Sequence, residues 1–442
     1  MGQTAVAEEP TGSAEAGAAL AVRGGKPVRD GKKWPAWPVR DAREEDLLIE
    51  VARSGRWSFD GPMELEFARR FAAYQGAAYG ECVANGTCSL EIAYAALGVG
   101  PGDEVIVPGL TWLATATAAV TIGAVPVFVD IDPDTYQLDP RRVEEAITRR
   151  TRVVVPVHLY GGTADVEAVV AIARRHGLGV VEDCAHAHGG RWRCADGVVR
   201  GTGTIGDAGS FSFQQSKSLT CGEGGLLLTG DRRLADEFYM RKNCGRAPRR
   251  PAENGHAREP AGPVFGGMAA PARKDGAPGS LTTVTGWNYR LGEFQAAVLL
   301  AQLERFDAQA DRRDAAARFL DAELGAIPGI RPLRRDPRVV RQSFYAYLFR
   351  YDAAAHGGVP VERFRAALAA EGLSTGASYG PVWEHELWAV PAGEYRVASR
   401  DATDRVMGEA LVFPHQYLLA PEDDLRDIVD IVRKVHDHAG EL

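Results

Sequence analysis

FSFQQSKSLTCGEGG, running from Phe211 to Gly225, is the stretch around which the chain is read. Residues Gly209 to Phe213 alternate small and aromatic side chains, the pattern of a buried strand. Gly222-Glu-Gly-Gly225 reads as a turn that lets backbone pass close to another group. Between strand and turn stands one lysine, Lys217. Partly desolvated at a strand end, an ammonium is disfavoured; burial lowers the lysine pKa, and the neutral amine is a nucleophile toward carbonyls. A surface lysine on a loop has the same local signature, so the surrounding chain has to decide between the two.

Upstream, short Val/Ile-rich runs alternate with helical patterns. Strands are expected at Glu104–Val107, Val125–Val129, Arg152–Val157 and Gly179–Glu182. Helices are expected from Ala42 to Gly55 and from Cys88 to Leu97, and Val166, Val169, Val170 and Ala173 mark another apolar helical face. Such alternation predicts an α/β fold whose mostly parallel sheet is covered on both faces. Downstream, a helix is expected from Leu291 to about Leu324. A short strand at Ser343–Tyr351 and amphipathic helices at Val361–Glu371 and Glu422–Ala439 follow, as in a smaller α+β domain. The expected division is a tail and arm at 1–34, a large domain at 35–310 and a small C-terminal domain at 311–442. In the arm stretch LAVRGGKPVRDGKKWPAWP, which runs on to residue 38, Trp34 and Trp37 are anchors with no core of their own, so the arm is expected to pack on another surface. Residues 246–283 are rich in Pro, Gly, Ala and charge and read as a long mobile insertion. Val264, Phe265 and Met268 are its apolar anchors, suited to a lid over a bound ligand, although a tolerated surface insertion has the same composition.

The 442 residues are ample for two or three domains, and 45% apolar with 25% charged is ordinary for a globular enzyme. A net charge of −8 favours neither nucleic acid nor an anionic membrane. No apolar run approaches the roughly 18–20 residues needed to cross a bilayer. The acidic, Ala/Gly-rich start has no secretory pattern, and Met1-Gly2 is not followed by a myristoylation signal. Six cysteines, at 82, 88, 184, 194, 221 and 244, show no zinc spacing, and a reduced cytoplasmic protein is expected.

Three further features converge on Lys217. Asp183 closes the Gly179–Glu182 strand, and ligands of parallel sheets sit outside the carboxyl ends of strands. An ionised carboxylate there can hold a protonated pyridine nitrogen. Asn85-Gly86-Thr87 precedes a helix, whose free N–H groups make an anion site. Trp112, after Pro108 and Gly109, offers an aromatic plate at another strand end. Lysine, carboxylate, anion cradle and plate are the partners that pyridoxal 5'-phosphate (PLP) needs for its aldehyde, ring nitrogen, phosphate and ring face. His186 and His188 stand at i, i+2 with no third ligand at metal-site spacing, and no metal is expected.

With GGKPVR, ANGTCSLEIAYAALGVGPGDEVIVPGLTW, GAVPVFVDIDPDTYQLDP, VVVPVHLYG, VEDCAHAHGG, FSFQQSKSLTCGEGG and GWNYRLGEFQAAVL in family order, the sequence resembles the DegT/DnrJ/StrS family of PLP-dependent sugar and cyclitol aminotransferases. The resemblance covers most of residues 20–310. It implies a fold-type-I, aspartate-aminotransferase-like homodimer with sites shared at the subunit interface. It also implies roles. Lys217 is matched to the Schiff-base lysine, Asp183 to the pyridinium partner and Trp112 to the stacking aromatic. Gly86, Thr87 and Ser212 are matched to phosphate ligands. Asn288 is matched to an asparagine that reaches the phosphate from the partner subunit, and His186 to a residue near the cofactor's phenolic oxygen. His158 and Tyr160 fall in a family motif near the site, and Tyr379 and His415 are weaker candidates for substrate contact.

The implied reaction is ping-pong transamination from glutamine or glutamate to a keto-cyclitol or keto-sugar in aminocyclitol or aminosugar natural-product biosynthesis. PGLTW and SKSLTCGEGG are similar to scyllo-inosose aminotransferases. WPAWP, DCAHAHG and NCGR are similar instead to 3-amino-5-hydroxybenzoate synthases, which dehydrate and aromatise an aminoketo ring; nucleotide-sugar amination is the third alternative. The implied partners are the small-molecule donor and acceptor and a second copy of the chain, without nucleic acid or membrane.

Overall fold

The computed structural model describes residues 19–248 and 284–442. The tail at 1–18 and, apart from residues 246–248, the insertion expected at 246–283 lie outside the described residues. So do the anchors Val264, Phe265 and Met268 and the lid built on them.

The strands are β1 (Tyr79–Val83), β2 (Glu104–Pro108), β3 (Val125–Val129), β4 (Thr151–Val154), β5 (Gly179–Asp183), β6 (Arg191–Arg193) and β7 (Val199–Gly201), then β8 (Ala208–Ser212), β9 (Gly225–Thr229), β10 (Ile330–Pro332), β11 (Val339–Arg341), β12 (Ala346–Tyr351), β13 (Arg396–Val397) and β14 (Ala410–Pro414). The main sheet has the order β1-β9-β8-β5-β4-β2-β3-β13. From β8 through β13 every pairing is parallel, whereas β9 runs antiparallel to both β8 and β1. β2, β8 and β9 are buried at every residue, as strands covered on both faces must be. The expected α/β architecture with a mostly parallel mixed sheet is therefore present. A second sheet, β10-β12-β14, is antiparallel and packs with the helices Val361–Ala370 and Glu422–Asp437.

The helix Glu293–Gly325 runs 33 residues, about 50 Å at 1.5 Å per residue, and joins the two cores. Ala296 to Ala310 contribute to the cluster around Phe67, Phe71 and Phe213. Ala316 to Leu324 contribute to the cluster around Phe349, Phe364 and Ile428. Its first residue also fixes another helix: the Glu293 carboxylate accepts from the N–H groups of Met63 at 3.0 Å and Glu64 at 2.7 Å, at the start of Pro62–Gln75.

Four details differ from the sequence reading. The strand expected at Arg152–Val157 stops at Val154, and Pro156, having no N–H, interrupts the ladder before the isolated Val157–Asp183 bridge. The helix expected from Cys88 begins at Gly86, because Asn85 caps it by accepting from Cys88 N at 2.9 Å; Gly86 and Thr87 thus belong to its first turn. The strand expected from Ser343 begins at Ala346, and Tyr345 N is drawn aside to Tyr160 O at 3.1 Å. The arm, expected to need another surface, finds one in its own chain. Leu20 is buried in the C-terminal cluster, Arg29 Nη1 lies 2.7 Å from Asp427 Oδ2, and Trp34 stacks on Tyr417 with ring centroids 4.4 Å apart. The arm therefore gives no argument for a second subunit.

Candidate active site

The site lies at the carboxyl ends of the parallel strands, where β2, β4, β5 and β8 deliver Trp112, His158, Asp183 and Ser212. Phe211 and Phe213 bury both rings against Phe71, with centroids 5.0 and 5.5 Å away, which fixes β8 and the start of the lysine loop. The loop then folds on itself. Phe213 N bonds to Gly224 O and Gln215 N to Gly222 O, each at 2.8 Å, and Lys217 N closes a turn onto Gln214 O. The glycines permit this approach: a Cβ on Gly225 would lie 2.4 Å from the Asn85 carbonyl oxygen.

The Lys217 amine lies 4.5 Å from the centre of the Tyr345 ring, over its face, and has no hydrogen-bond partner among the described residues. Burial lowers its pKa from 10.5 to about 8, against an opposing pull from the Asp183 charge. At pH 7 about 9% of such an amine is neutral, against about 0.04% for a solvated lysine.

Asp183 is 5% exposed. Its Oδ2 accepts from Thr115 Oγ1 at 2.8 Å and its Oδ1 from Ala185 N at 3.1 Å. Burial nevertheless raises its pKa, an effect only partly offset by those donors and by the charge on Lys217. The carboxylate is held in place yet short of positive charge, the condition in which an incoming cation is favoured. Next to it, His158 and Glu182 form a buried brace. Glu182 accepts from Gly203, Ile205 and Gly206 N–H groups, and its Oε2 lies 3.0 Å from His158 Nε2. Because His158 Nδ1 accepts from Ala164 N, Nε2 carries the proton and donates to Glu182. Glu182, His158 and Cys184 offer ligand atoms within 4.8 Å of one another, but the Glu182 oxygens already serve this brace.

Opposite the lysine loop, the first turn of Gly86–Ala96 points its N–H groups at the end of β8. Cys88 N is taken by Asn85 and Ser89 N by Asn85 O, while Gly86 N and Thr87 N have no partner among the described residues. A Cβ on Gly86 would sit 2.7 Å from Ser212 Cβ, so only glycine lets helix and strand close this cradle. Free N–H groups, a positive helix end and a serine hydroxyl make a cradle for a phosphate.

An aromatic wall completes the site. Trp112 is 42% exposed, with its ring 5.9 Å from Tyr379 and 5.5 Å from His385. Tyr379 stacks on Tyr160 at 5.5 Å, and His186 lies flat on Tyr345 at 3.8 Å and 4°. Tyr160 holds φ +56°, a costly conformation for a tyrosine. In it the Tyr160 N–H donates to His186 Nδ1 at 3.2 Å and the hydroxyl accepts from Tyr379 N at 2.8 Å. Burial, then the Lys217 charge, hold the His186 pKa well below its usual value. The imidazole is neutral with its proton on Nε2, a donor at the site.

Among the residues read from sequence, Lys217, Asp183, His186, Gly86, Thr87, Ser212 and Trp112 come together here, with His158, Tyr160 and Tyr379 beside them. Asn288 does not. It is exposed, pairs with Asn243 in an isolated bridge, and accepts from Arg290 Nε at 2.8 Å. His415 is buried behind the lysine loop, its Nε2 donating to Ser216 O at 3.2 Å. Sequence reasoning missed Tyr345 and Thr115. Tyr345 opens a β-type run and Thr115 an alanine-rich helix, and neither carries a local signal for a site.

Residues 38–433 match the model of the DegT/DnrJ/EryC1/StrS aminotransferase family. The chain is 41% identical to an L-glutamine:2-deoxy-scyllo-inosose aminotransferase of Micromonospora echinospora, over 96% of this chain and 99% of that one. It is 40% identical to an L-glutamine:scyllo-inosose aminotransferase of Streptomyces griseus, with the same coverage. The crystal structure of 3-amino-5-hydroxybenzoic acid synthase superposes with a TM-score of 0.76 at 33% identity, covering 93% of this chain and 99% of the other.

Proposed function

The chain belongs to the DegT/DnrJ/EryC1/StrS aminotransferase family, and from that premise we propose that it moves the amino group of L-glutamine onto a keto-cyclitol of the scyllo-inosose class. It is an aminotransferase, of a family whose members depend on PLP. The substrates follow from relatives near 40% identity along nearly the whole chain, against 33% for the 3-amino-5-hydroxybenzoic acid synthase.

The observation that carries the cofactor assignment is the pairing of an amine whose pKa is lowered by burial, Lys217, with a buried carboxylate short of positive charge, Asp183. PLP supplies an aldehyde for the amine and a cationic ring nitrogen for the carboxylate, and so acts as the electron sink of transamination. Lys217 would hold it through the amine, Asp183 through the ring nitrogen, and Gly86, Thr87 and Ser212 through the phosphate. Trp112 would cover the ring face and His186 Nε2–H would face its phenolic oxygen. Asn288, remote in its own chain, would serve the neighbouring site of a homodimer. The free Lys217 amine would be the base for the donor's α-proton, since its depressed pKa lies near neutral pH. The Tyr345 face steadies the ammonium that results. Thr115 keeps Asp183 aimed, and its hydrogen bond favours the charged form against the effect of burial. No helix among the described residues is long and apolar enough to cross a membrane, in line with the cytoplasmic location we propose.

The test is a half-reaction survey followed by a ketone panel. PLP-loaded protein is offered glutamine, glutamate and alanine, and pyridoxamine phosphate is read by absorbance. The aminated form is then offered scyllo-inosose, 2-deoxy-scyllo-inosose and a nucleotide-linked keto-sugar. Glutamine and a carbocyclic ketone should give the highest kcat/KM. A tenfold preference for the nucleotide-linked sugar, or release of an aromatic product, would overturn the substrate reading.

A further inference from the structure

We propose that Trp37, on the N-terminal arm, is a positioning residue for Lys217: it holds the lysine loop from behind and keeps the amine turned into the site. The proposal rests on Lys217 being the cofactor lysine.

The loop from Ser212 to Lys217 turns several of its polar groups outward, and side chains from distant parts of the chain take them. Ser212 O lies 2.8 Å from His188 Nε2. Gln215 O accepts from Trp37 Nε1 at 3.0 Å. Ser216 O accepts from His415 Nε2 at 3.2 Å, and Ser216 Oγ lies 3.2 Å from the Tyr345 hydroxyl. The two carbonyls immediately before Lys217 are thus each bound by one ring donor, and rotating either peptide would break its bond. A side chain's direction follows from the peptides that flank its Cα, so these bonds set where Lys217 points.

Trp37 is itself locked. Its ring meets the His415 imidazole edge-on, with centroids 4.5 Å apart at 87°. On another side lies Arg313, from the long helix, with its guanidinium carbon 5.3 Å from the Trp37 ring centre. Arg313 is 1% exposed, and none of its three guanidinium nitrogens has a hydrogen-bond partner among the described residues. A buried cation without an anion is costly, and the Trp37 face is an aromatic contact that offsets part of that cost. Displacing Trp37 would therefore also unsettle Arg313 and His415. The arm is held independently further up, where Trp34 Nε1 donates to Gly372 O at 3.0 Å and its ring stacks on Tyr417. Trp34 and Trp37 thus make the same kind of bond from the same arm, one to the C-terminal core and one to the lysine loop.

That pairing supplies the control. The ionisable and polar groups around the Lys217 amine are Asp183 on β5, His186 and His188 after it, Tyr345 before β12, and His415 after β14, with Arg313 behind His188 and His415. With the loop loosened, the amine gains water and its titration moves toward that of a free lysine. Parent, Trp37→Phe and Trp34→Phe are compared in three measurements: thermal unfolding, PLP affinity, and the pH midpoint of Lys217 labelling by formaldehyde and cyanoborohydride in cofactor-free protein, read by peptide mass spectrometry. Trp37→Phe should raise the midpoint by one pH unit or more and weaken PLP at least tenfold. Trp34→Phe, with a similar loss of thermal stability, should move neither. Midpoints and affinities in Trp37→Phe that match the parent, or equal shifts in both variants, overturn the proposal. If Trp37→Phe does not fold, His415→Phe takes its place, since it removes the donor from the adjacent Ser216 carbonyl, and it carries the same expectation and the same refutation. A parent that accepts no pyridoxyl group on Lys217 after borohydride reduction refutes the function reading instead, so the two failures are separable.

Discussion

Asp183→Asn is the change for which the structure gives the most to work with. The substitution is isosteric, and both hydrogen bonds can survive it. The amide oxygen still accepts from Ala185 N, and the amide N–H2 can donate to the Thr115 hydroxyl, which rotates to accept. Folding should therefore be close to normal. What disappears is one negative charge in a buried position. Two consequences follow. In the cofactor-free chain Lys217 loses the one charge that supports its ammonium, so its pKa falls below about 8. At an effective dielectric near 20 and a separation of several ångströms, that support amounts to about 1–2 kcal/mol, or roughly one pKa unit. In the loaded enzyme the ring nitrogen loses its ionic partner, and breaking one side of a buried charge pair costs about 3–5 kcal/mol. If most of that appears in the transition state, where the ring carries the donor's electrons, kcat falls roughly 10²–10³-fold. The assay is a single turnover with L-glutamine, followed at the cofactor absorbance in a stopped-flow instrument, alongside the labelling midpoint of Lys217. A variant that reacts within threefold of the parent with an unmoved lysine midpoint would refute the assignment of Asp183 and the electrostatic coupling behind it.

Three other perturbations test separate parts of the site. Because Lys217 titrates at about 8 when folded and at 10.5 as a free lysine, the unfolded chain holds more protons between those values, and cofactor-free stability should rise with pH across that window. Lys217→Met should flatten the rise and add about 1–3 kcal/mol at pH 7, measured by urea unfolding at pH 7 and 9; a parent curve that is flat or falling across the window contradicts the lowered pKa. Gly86→Ala places a Cβ 2.7 Å from Ser212 Cβ and should weaken PLP at least tenfold, whereas Gly100→Ala, with nothing within 4 Å, should not; equal affinities by fluorescence titration would remove the cradle. Mixing inactive Lys217→Ala with inactive Asn288→Ala should restore part of the activity, since one hybrid site regains both groups; hybrid dimers shown to form yet remaining inert would argue against a shared site.

The sequence alone determined the inner parallel strands of the sheet and much of the chemistry that sits on their rim. Continuous apolar runs at Glu104–Pro108 and Val125–Val129, separated by helical periodicity, can be buried only as inner parallel strands, and parallel strands collect ligands at their carboxyl ends. Lys217, Asp183 and Trp112 each stand at such an end, so their meeting could be read from order along the chain, whereas the Asn85–Thr87 turn was legible only as a helix start. β1 and β9 were not legible. Tyr79–Val83 carries a glycine and a glutamate inside it, and the three leucines of Gly225–Thr229 have no period to separate strand from helix. Long-range pairing decides such segments. The same holds for the second layer of the site. That Tyr345 lies under Lys217, that Thr115 aims Asp183, and that Trp37 reaches Gln215 across 178 positions of sequence are facts of packing. The Lys217 pKa is likewise a product of the fold. A lysine beside glycines is ordinary in sequence, and only the loss of water around it, with one carboxylate left to support its charge, makes it a nucleophile near neutral pH.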